Sequence, residues 1–269
     1  MSQPERAETD QPVLAERRGA VLVLTLNRPG RLNAWNDDLE QRYFELLDDA
    51  DSDPEVRSIV VTGTGRGFCA GADLDDLHDA STTDDLRPPE RSRPRWYPLT
   101  MRKPMIAAVN GAAAGLGLVE ALYCDVRFTT PAAKFTTAFV RRGLIAEYGI
   151  SWLLPRLIGT SKALDLLLSG RVVSGEEAYR LGLADRVVAA ENLVQAAVDY
   201  AAELAAFSSP SSMSVIKRQV YEGLHTEFEP AATEADRLML ESFRQPDAAE
   251  GVTSYLQRRD PAFQALRSR

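Results

Sequence analysis

The residues with which this chain could do chemistry are backbone amides in two glycine-rich segments and a small number of carboxylates. Gly67-Phe68-Cys69-Ala70-Gly71-Ala72-Asp73-Leu74 and Asn110-Gly111-Ala112-Ala113-Ala114-Gly115-Leu116-Gly117 each stand between a run of strand formers and the start of a helix. A strand-to-helix turn aims unpaired backbone N–H groups at the space ahead of the helix. Small residues there let a ligand approach the backbone closely. Two such turns side by side would present two N–H donors to one oxygen, which is an oxyanion hole. Taken singly, either segment is also what a tight α/β turn requires of its glycines. The residues by themselves leave both readings open.

Other chemistries are excluded by residue type. Gly115 and Gly117 make a GxG, but Glu120 stands where the dinucleotide fingerprint needs its third glycine, and no glycine loop is followed by Lys-Ser/Thr. There is no GxSxG elbow, and the only histidines are His78 and His225, a poor basis for a Ser-His-Asp triad. Both histidines are read as structural or exposed. Cys69 and Cys124 form no CxxC pair, so neither a disulfide framework nor a structural zinc is expected. The run Asp73, Asp75, Asp76, Asp79 lacks the glycine and closing glutamate of a calcium loop. Acids in a first helical turn complement the helix dipole, so no metal site is expected. A formal net charge of −8 argues against nucleic acid as partner, since phosphate binding needs a basic face. No apolar run has the length of a secretory h-region or a membrane span, and the chain is read as cytosolic, with no membrane partner.

The positioning elements follow from periodicity. With 269 residues, 45% of them hydrophobic and 26% charged, the chain has the usage of a globular protein able to bury a sizeable core. Ala20 to Leu26 alternates as a strand and stops at Asn27-Arg28-Pro29-Gly30. Asn36 is placed to cap a helix reaching about Asp51, with Leu39, Tyr43, Phe44, Leu46 and Leu47 on one stripe. Ser58 to Thr62, Met105 to Val109 and a run near Cys124 to Thr129 are short and apolar, as strands buried on both faces are. Ser81 to Tyr97, with its prolines and arginines, reads as a surface loop. After about Ser161 helical periodicity dominates: 163–168, 175–183, 191–207, 211–224, 230–244 and 247–258, with 186–189 extended. Strands alternating with helices predict an α/β core.

Several blocks together resemble the crotonase superfamily, the enoyl-CoA hydratase/isomerase family. They are LNRPGRLNAW (residues 26–35), RGFCAGADL (66–74), KPMIAAVNGAAAGLGL (103–118), CDVRFTTPAAKF (124–135), RRGLIAEYG (141–149), LLPRLIG (153–159) and GRVVSGEEAYRLGLADRVV (170–188), in family order. The resemblance implies a spiral of ββα units followed by a helical C-terminal region: a core with the acyl-CoA site over residues 1–200 and a helical oligomerisation region over 201–269. It also implies a homotrimer or hexamer. The substrate would be an acyl-CoA thioester whose carbonyl oxygen is held by the backbone N–H groups of Ala72 and Leu116. No cofactor is implied, because coenzyme A is part of the substrate.

In the same register, the two glutamates that hydratases of this family use are replaced by Val119, counted from Asn110-Gly111, and Phe139, counted back from Gly143. Glu120 is adjacent to the first position but about 100° away around a helix. A third family position, used as the single catalytic carboxylate by some of the isomerases and as an aspartate nucleophile by a dehalogenase, holds Glu147. One carboxylate suits a 1,3-proton shift through an enolate. The resemblance therefore implies an isomerase that moves an enoyl double bond from position 3 to position 2. A hydratase using Glu147 alone and a catalytically weak acyl-CoA-binding protein are the alternatives. It places Arg31, Ala70, Gly71, Asp73 and Gly115 along the CoA and its thioester, and Val119, Phe139, Tyr148 and Trp152 around the acyl group. Arg28, Arg31 and the arginines after Asp73 are candidates for the CoA phosphates. Phe263 matches a C-terminal position that approaches the CoA of a neighbouring subunit.

Overall fold

A computed structural model describes residues 10–82 and 91–266. Its main sheet contains β1 (Val13–Arg18), β2 (Val21–Leu26), β3 (Ser58–Gly63), β5 (Met105–Val109), β7 (Val126–Thr129) and β10 (Arg186–Val187), six strands in the order β1-β2-β3-β5-β7-β10. Only β1 runs antiparallel to its neighbour; every other pairing is parallel. Between them, β4 (Gly67–Cys69), β6 (Ala112–Ala114), β8 (Lys134–Thr136) and β9 (Val173–Ser174) form a second sheet of four very short strands in the order β4-β6-β8-β9. Each turn of the chain lays one long strand on the first sheet and one short strand on the second. The result is the α/β spiral of ββα units expected from the sequence.

The period-2 pattern decides which face of the main sheet meets what. Val21, Val23, Val60, Ile106 and Ala108 point to one side, where Leu193, Ala197, Val198 and Ala201 of α7 (Leu193–Phe207) cover them. Leu24, Leu26, Ile59, Val61, Met105, Ala107 and Val109 point to the other, into the larger core. That core is shared with α1 (Asp37–Ser52), α3 (Leu116–Leu122) and α4 (Ile150–Ile158). A fully buried aliphatic side chain contributes about 1.5–3 kcal/mol, so α7 is held by its apolar stripe far more than by helix propensity. Arg57 and Ser58 add hydrogen bonds to the Ala205 and Ala201 carbonyls at 3.1 and 3.0 Å.

Helix α1 begins where expected: the Asn36 side chain accepts from the Leu39 amide. Its far end is closed by a buried ammonium, Lys103 Nζ, which donates to the Ala50 and Asp53 carbonyls. Remaining helices are α2 (Leu74–Thr82), α5 (Thr160–Ser169), α6 (Gly175–Leu181), α8 (Pro210–Gly223), α9 (Phe228–Ser242) and α10 (Pro246–Gln257).

Three features depart from the expectation. β1 carries charged residues and alternates poorly, because it is an edge strand with most of its outer face in solvent. The short sheet lies inside segments that read as turns, since three-residue strands of Gly, Ala, Phe and Cys carry no usable period. Helix α4 starts well before residue 161, and Pro155 inside it masks the helical signal. Of the Pro/Arg loop expected over residues 81–97, Ser81 and Thr82 instead end α2, residues 83–90 lie outside the described residues, and Tyr97 opens a 3-10 turn that runs to Thr100. Among the described residues no helix is long and apolar enough to cross a membrane.

The small-residue segments are forced by packing. A Cβ on Gly117 would sit 2.1 Å from the Cys69 carbonyl oxygen, so any side chain there would drive α3 away from β4. Both cysteines are buried at that junction and on α3's far side. Burial pushes the Cys69 thiol up to about 12 and raises Cys124 as well. In the native protein at pH 8, neither thiol should react with an aromatic disulfide reagent over minutes, whereas denaturation should release two thiols per chain; spectrophotometric titration checks this.

Candidate active site

The two glycine-rich turns meet. The first is laced to residues 32–35: Ala70 N donates to Leu32 O at 3.0 Å, Trp35 N to Gly71 O at 2.8 Å and Asp73 N to Trp35 O at 2.9 Å. This leaves the Ala72 N–H between two bonded neighbours. The second turn is tied down by Gly115 N donating to Thr136 O at 3.0 Å, and Leu116 is the first residue of α3. Among the described residues neither Ala72 N nor Leu116 N donates to a protein acceptor. Gly71 sits at φ +103°, and a Cβ there would lie 2.8 Å from Ala114 O and 3.8 Å from Leu116 N. Glycine is thus needed at 71 for both its angle and its missing side chain, and the close approach puts the two amides on one cavity.

That cavity, of about 330 Å³, is lined by Arg31, Ala70, Gly71, Ala72, Asp73, Gly115, Leu116, Phe139, Glu147 and Tyr148, with Leu74, Leu77 and Leu144 among its apolar wall. Glu147 is half-buried and stands in the segment between the 3-10 turn Phe139–Arg142 and α4. Tyr148 beside it has φ +54° and Gly149 φ +72°. The Tyr148 ring lies 6.3 Å from that of Phe139 and 4.8 Å from the Arg95 guanidinium. Burial raises the Tyr148 phenol; the Arg95 charge opposes this and the Glu147 carboxylate adds to it. The arrangement can hold an oxygen with two N–H groups in the same cavity as a carboxylate.

Several expected binding residues lie elsewhere. Arg28 is not on the cavity wall: it pairs with Asp73 at 2.9 Å and bonds the Ala34 carbonyl, so it braces the first turn instead of awaiting a phosphate. Asp73, though it reaches the wall, is buried and held by that pair, which together with the Asp75 amide lowers its pKa against the opposing effect of burial. Val119 is wholly enclosed in the core and is not among the residues that line the cavity. Trp152 stacks on His225 at 4.7 Å and carries Arg156 on its ring at 4.1 Å, outside the acyl wall. Phe263 packs by Gly251 in a groove between α8, α9 and α10, where its carbonyl accepts from Arg57. Within its own chain it does not reach the cavity. The loop arginines are also engaged: Arg91 and Arg95 each donate to Glu40 at 2.7 Å and Arg93 to Asp48. Arg31 alone of these lines the cavity with an exposed side chain, paired to exposed Asp75 at 3.1 Å.

A sequence profile of the enoyl-CoA hydratase/isomerase family matches residues 16–266. This chain belongs to that family. It is 37% identical over 262 residues to the Escherichia coli protein named 1,2-epoxyphenylacetyl-CoA isomerase, covering 93% of this chain and 97% of that one. A crystal structure of an enoyl-CoA hydratase from Polaromonas superposes with a TM-score of 0.88 at 29% identity, over 94% of this chain and 99% of that one. A structure of enoyl-CoA hydratase EchA12_1 from Mycobacterium marinum is 50% identical, with a TM-score of 0.68 over 79% of this chain and 98% of that one. The crotonase fold and family membership are therefore those the sequence blocks imply.

Two residues near the cavity carry no mark in the sequence, Glu40 and Tyr123, and Arg95, expected among the phosphate-binding loop arginines, has another place. Glu40 accepts from Trp35 Nε1, Arg91 and Arg95. Burial opposes its ionisation, but Arg95, Trp35 and Arg91 outweigh that and hold its carboxyl low. Only distant pairing identifies such residues, and spacing along one chain carries no signal of it. Glu120 is a contrast. It is fully buried on α3 with neither carboxylate oxygen hydrogen-bonded. Burial raises its pKa well above the ordinary value; Arg95 opposes this and Glu40 reinforces it. The native state thus keeps a proton that the unfolded chain releases above about pH 4.5, so stability from this group is full below that pH and falls as pH rises. Glu120→Leu should raise unfolding free energy by about 1–3 kcal/mol at pH 8, with a smaller gain at pH 5; urea unfolding at both pH values checks it.

Proposed function

We propose that this member of the family is an enoyl-CoA isomerase that converts a 3-enoyl-CoA into the 2-enoyl-CoA. The observation that carries the proposal is that Glu147 shares one cavity with the Ala72 and Leu116 amides, while the two hydratase acid positions are Val119 and Phe139. The E. coli relative named an isomerase supports the same direction.

The thioester carbonyl oxygen accepts from Ala72 N–H and Leu116 N–H. Glu147 removes a proton from C2, and the electron pair delocalises over C1–O and the C3=C4 bond as a dienolate. The proton held on Glu147 is returned at C4, which leaves the double bond between C2 and C3 and restores the carboxylate. The enolate oxygen carries the developing charge, and losing one oxyanion donor typically costs about 3–4 kcal/mol of barrier. Hydration of a 2-enoyl-CoA needs a base for water and an acid for C2, and the buried, apolar Val119 and Phe139 side chains supply neither. Arg31 is the residue placed to meet a CoA phosphate. Its exposed pair with Asp75 is worth only about 0–1 kcal/mol, so exchanging Asp75 for phosphate loses little. The outward apolar side chains of the C-terminal helices, Phe228 at 87% and Tyr255 at 83% exposed, support self-association of the chain through that region.

Isomerisation of 3-enoyl-CoA and hydration of 2-enoyl-CoA should be followed separately. Glu147→Gln, folded as judged by circular dichroism, should lose isomerisation by about 10²–10⁴-fold. Full activity in that variant defeats the mechanism; hydration without isomerisation favours the hydratase reading, and tight thioester binding with neither turnover favours an acyl-CoA-binding protein.

A further inference from the structure

We infer that Tyr123 is a positioning residue for Glu147, acting through the backbone of Tyr148; this rests on Glu147 being the base. Tyr123 closes the C-terminal end of α3 and is 2% exposed. Its hydroxyl donates to the carbonyl oxygen of Tyr148 at 2.5 Å. The same seven-residue helix begins with Leu116, one of the two cavity amides. One rigid element therefore holds an oxyanion donor at one end and the carboxylate segment at the other.

The segment needs such a tie. Arg141, Arg142, Gly143 and Ile145 are exposed and only Leu144 and Ala146 pack against the core, so the approach to Glu147 is anchored on one side alone. Tyr148 then adopts a left-handed angle that a bulky residue keeps only when its surroundings over-determine it. Three contacts do so: the Tyr123 hydroxyl on the carbonyl, the Ile150 N–H donating to Glu147 O at 3.1 Å across the turn, and Arg95 against the ring, itself fixed by Glu40. The amide linking Glu147 to Tyr148 is thus held at its own carbonyl by the Ile150 N–H, and the next amide, from Tyr148 to Gly149, by the Tyr123 hydroxyl, which together fix the backbone that directs the Glu147 side chain. Burial raises the Tyr123 phenol, so it remains a neutral donor throughout the working range. A displacement of about 1 Å in a reacting group can cost 10²-fold in rate, so a hydroxyl that never touches substrate can govern turnover.

Tyr123→Phe keeps the ring and removes the donor. The expected result is a fall of about 10–100-fold in kcat for 3-enoyl-CoA, with Kd for a saturated acyl-CoA within about twofold of wild type, because the amides and Arg31 are untouched. A second readout is deuterium uptake at C2 of that saturated acyl-CoA in heavy water, which should slow in step with kcat. In the Glu147→Gln background the same change should reduce the residual rate no further, since there is no base left to aim. An unchanged kcat, a parallel loss of binding, or a full additional loss in the Glu147→Gln background overturns the inference. If Glu147→Gln itself retains full activity, the base assignment fails instead, whatever Tyr123→Phe does. Should Tyr123→Phe not fold, Tyr123→Phe/Tyr148→Gly, whose glycine takes the left-handed angle unaided, is compared with Tyr148→Gly alone for the same separation of kcat from Kd.

Discussion

The contact on which the rest of the structure depends is the approach of Gly71 to the turn between β6 and α3. With a Cβ at 71 the Ala114 carbonyl would be 2.8 Å away, closer than folded chains tolerate. Everything that brings these turns together follows the same rule. Gly117 meets the Cys69 carbonyl and Gly111 the Arg66 carbonyl at 2.1 Å each, measured to an added Cβ. Successive spiral turns are stacked backbone to backbone, with almost no side chain between them. In the short sheet, β4 and β6 (Gly-Phe-Cys and Ala-Ala-Ala) stack at that spacing, and their pairing converts two ordinary tight turns into a pair of adjacent, unpaired N–H groups.

Backbone donors come without choice of side chain, so chemical variation in such a scaffold must enter through the residues facing them. Here those faces are mostly apolar: Leu116, Phe139, Leu144, Leu74 and Leu77. Apart from Glu147, Arg31, Asp73 and Arg142 on the wall itself, the ionic groups nearby are paired behind it. Arg28 with Asp73 braces the first turn, while Arg91 and Arg95 converge on Glu40 behind Tyr148. A buried pair of this kind contributes less to stability than its Coulomb energy suggests, because desolvation opposes it. What it supplies is direction: a planar guanidinium fixed at one end presents its face to the Tyr148 ring at the other. Glu120 lies within the field of the same cluster without a hydrogen-bond partner, and the fold tolerates it by keeping it protonated.

Much of this was legible in the chain. The strands Ser58 to Thr62 and Met105 to Val109, the Asn36 cap and the C-terminal helices follow from periodicity and capping chemistry, which act locally. The glycine-rich turns were recognisable as chemistry only in combination, because each alone has a sufficient conformational reason. Assignment of Arg28 to a phosphate failed for a specific reason. Its partner Asp73 is far along the chain, and an arginine in a turn looks the same whether it is solvated or already paired. Val119 and Trp152 failed similarly, since helical position without depth does not say which side of a helix meets the cavity and which meets the core. Tyr123 could not have been singled out, as its role is set by one hydrogen bond to a distant carbonyl.

The position of the carboxylate, rather than its presence, separates the reactions open to this fold. A base and an acid on the two segments that hold Val119 and Phe139 would grip one water between them. A single carboxylate carried at the start of a left-handed turn has a different freedom: it can serve two carbons of the same acyl chain in succession, provided it keeps the proton between the two events. That requires the surrounding wall to exclude water and the carboxylate to stay in register with the oxyanion pair while the negative charge migrates along the chain. Phe139 and Leu144 on the wall meet the first requirement by being apolar. The second is a demand on backbone rigidity in a segment with an exposed approach. In this molecule that rigidity comes from α3, which begins at the Leu116 amide and ends at the hydroxyl that holds Tyr148.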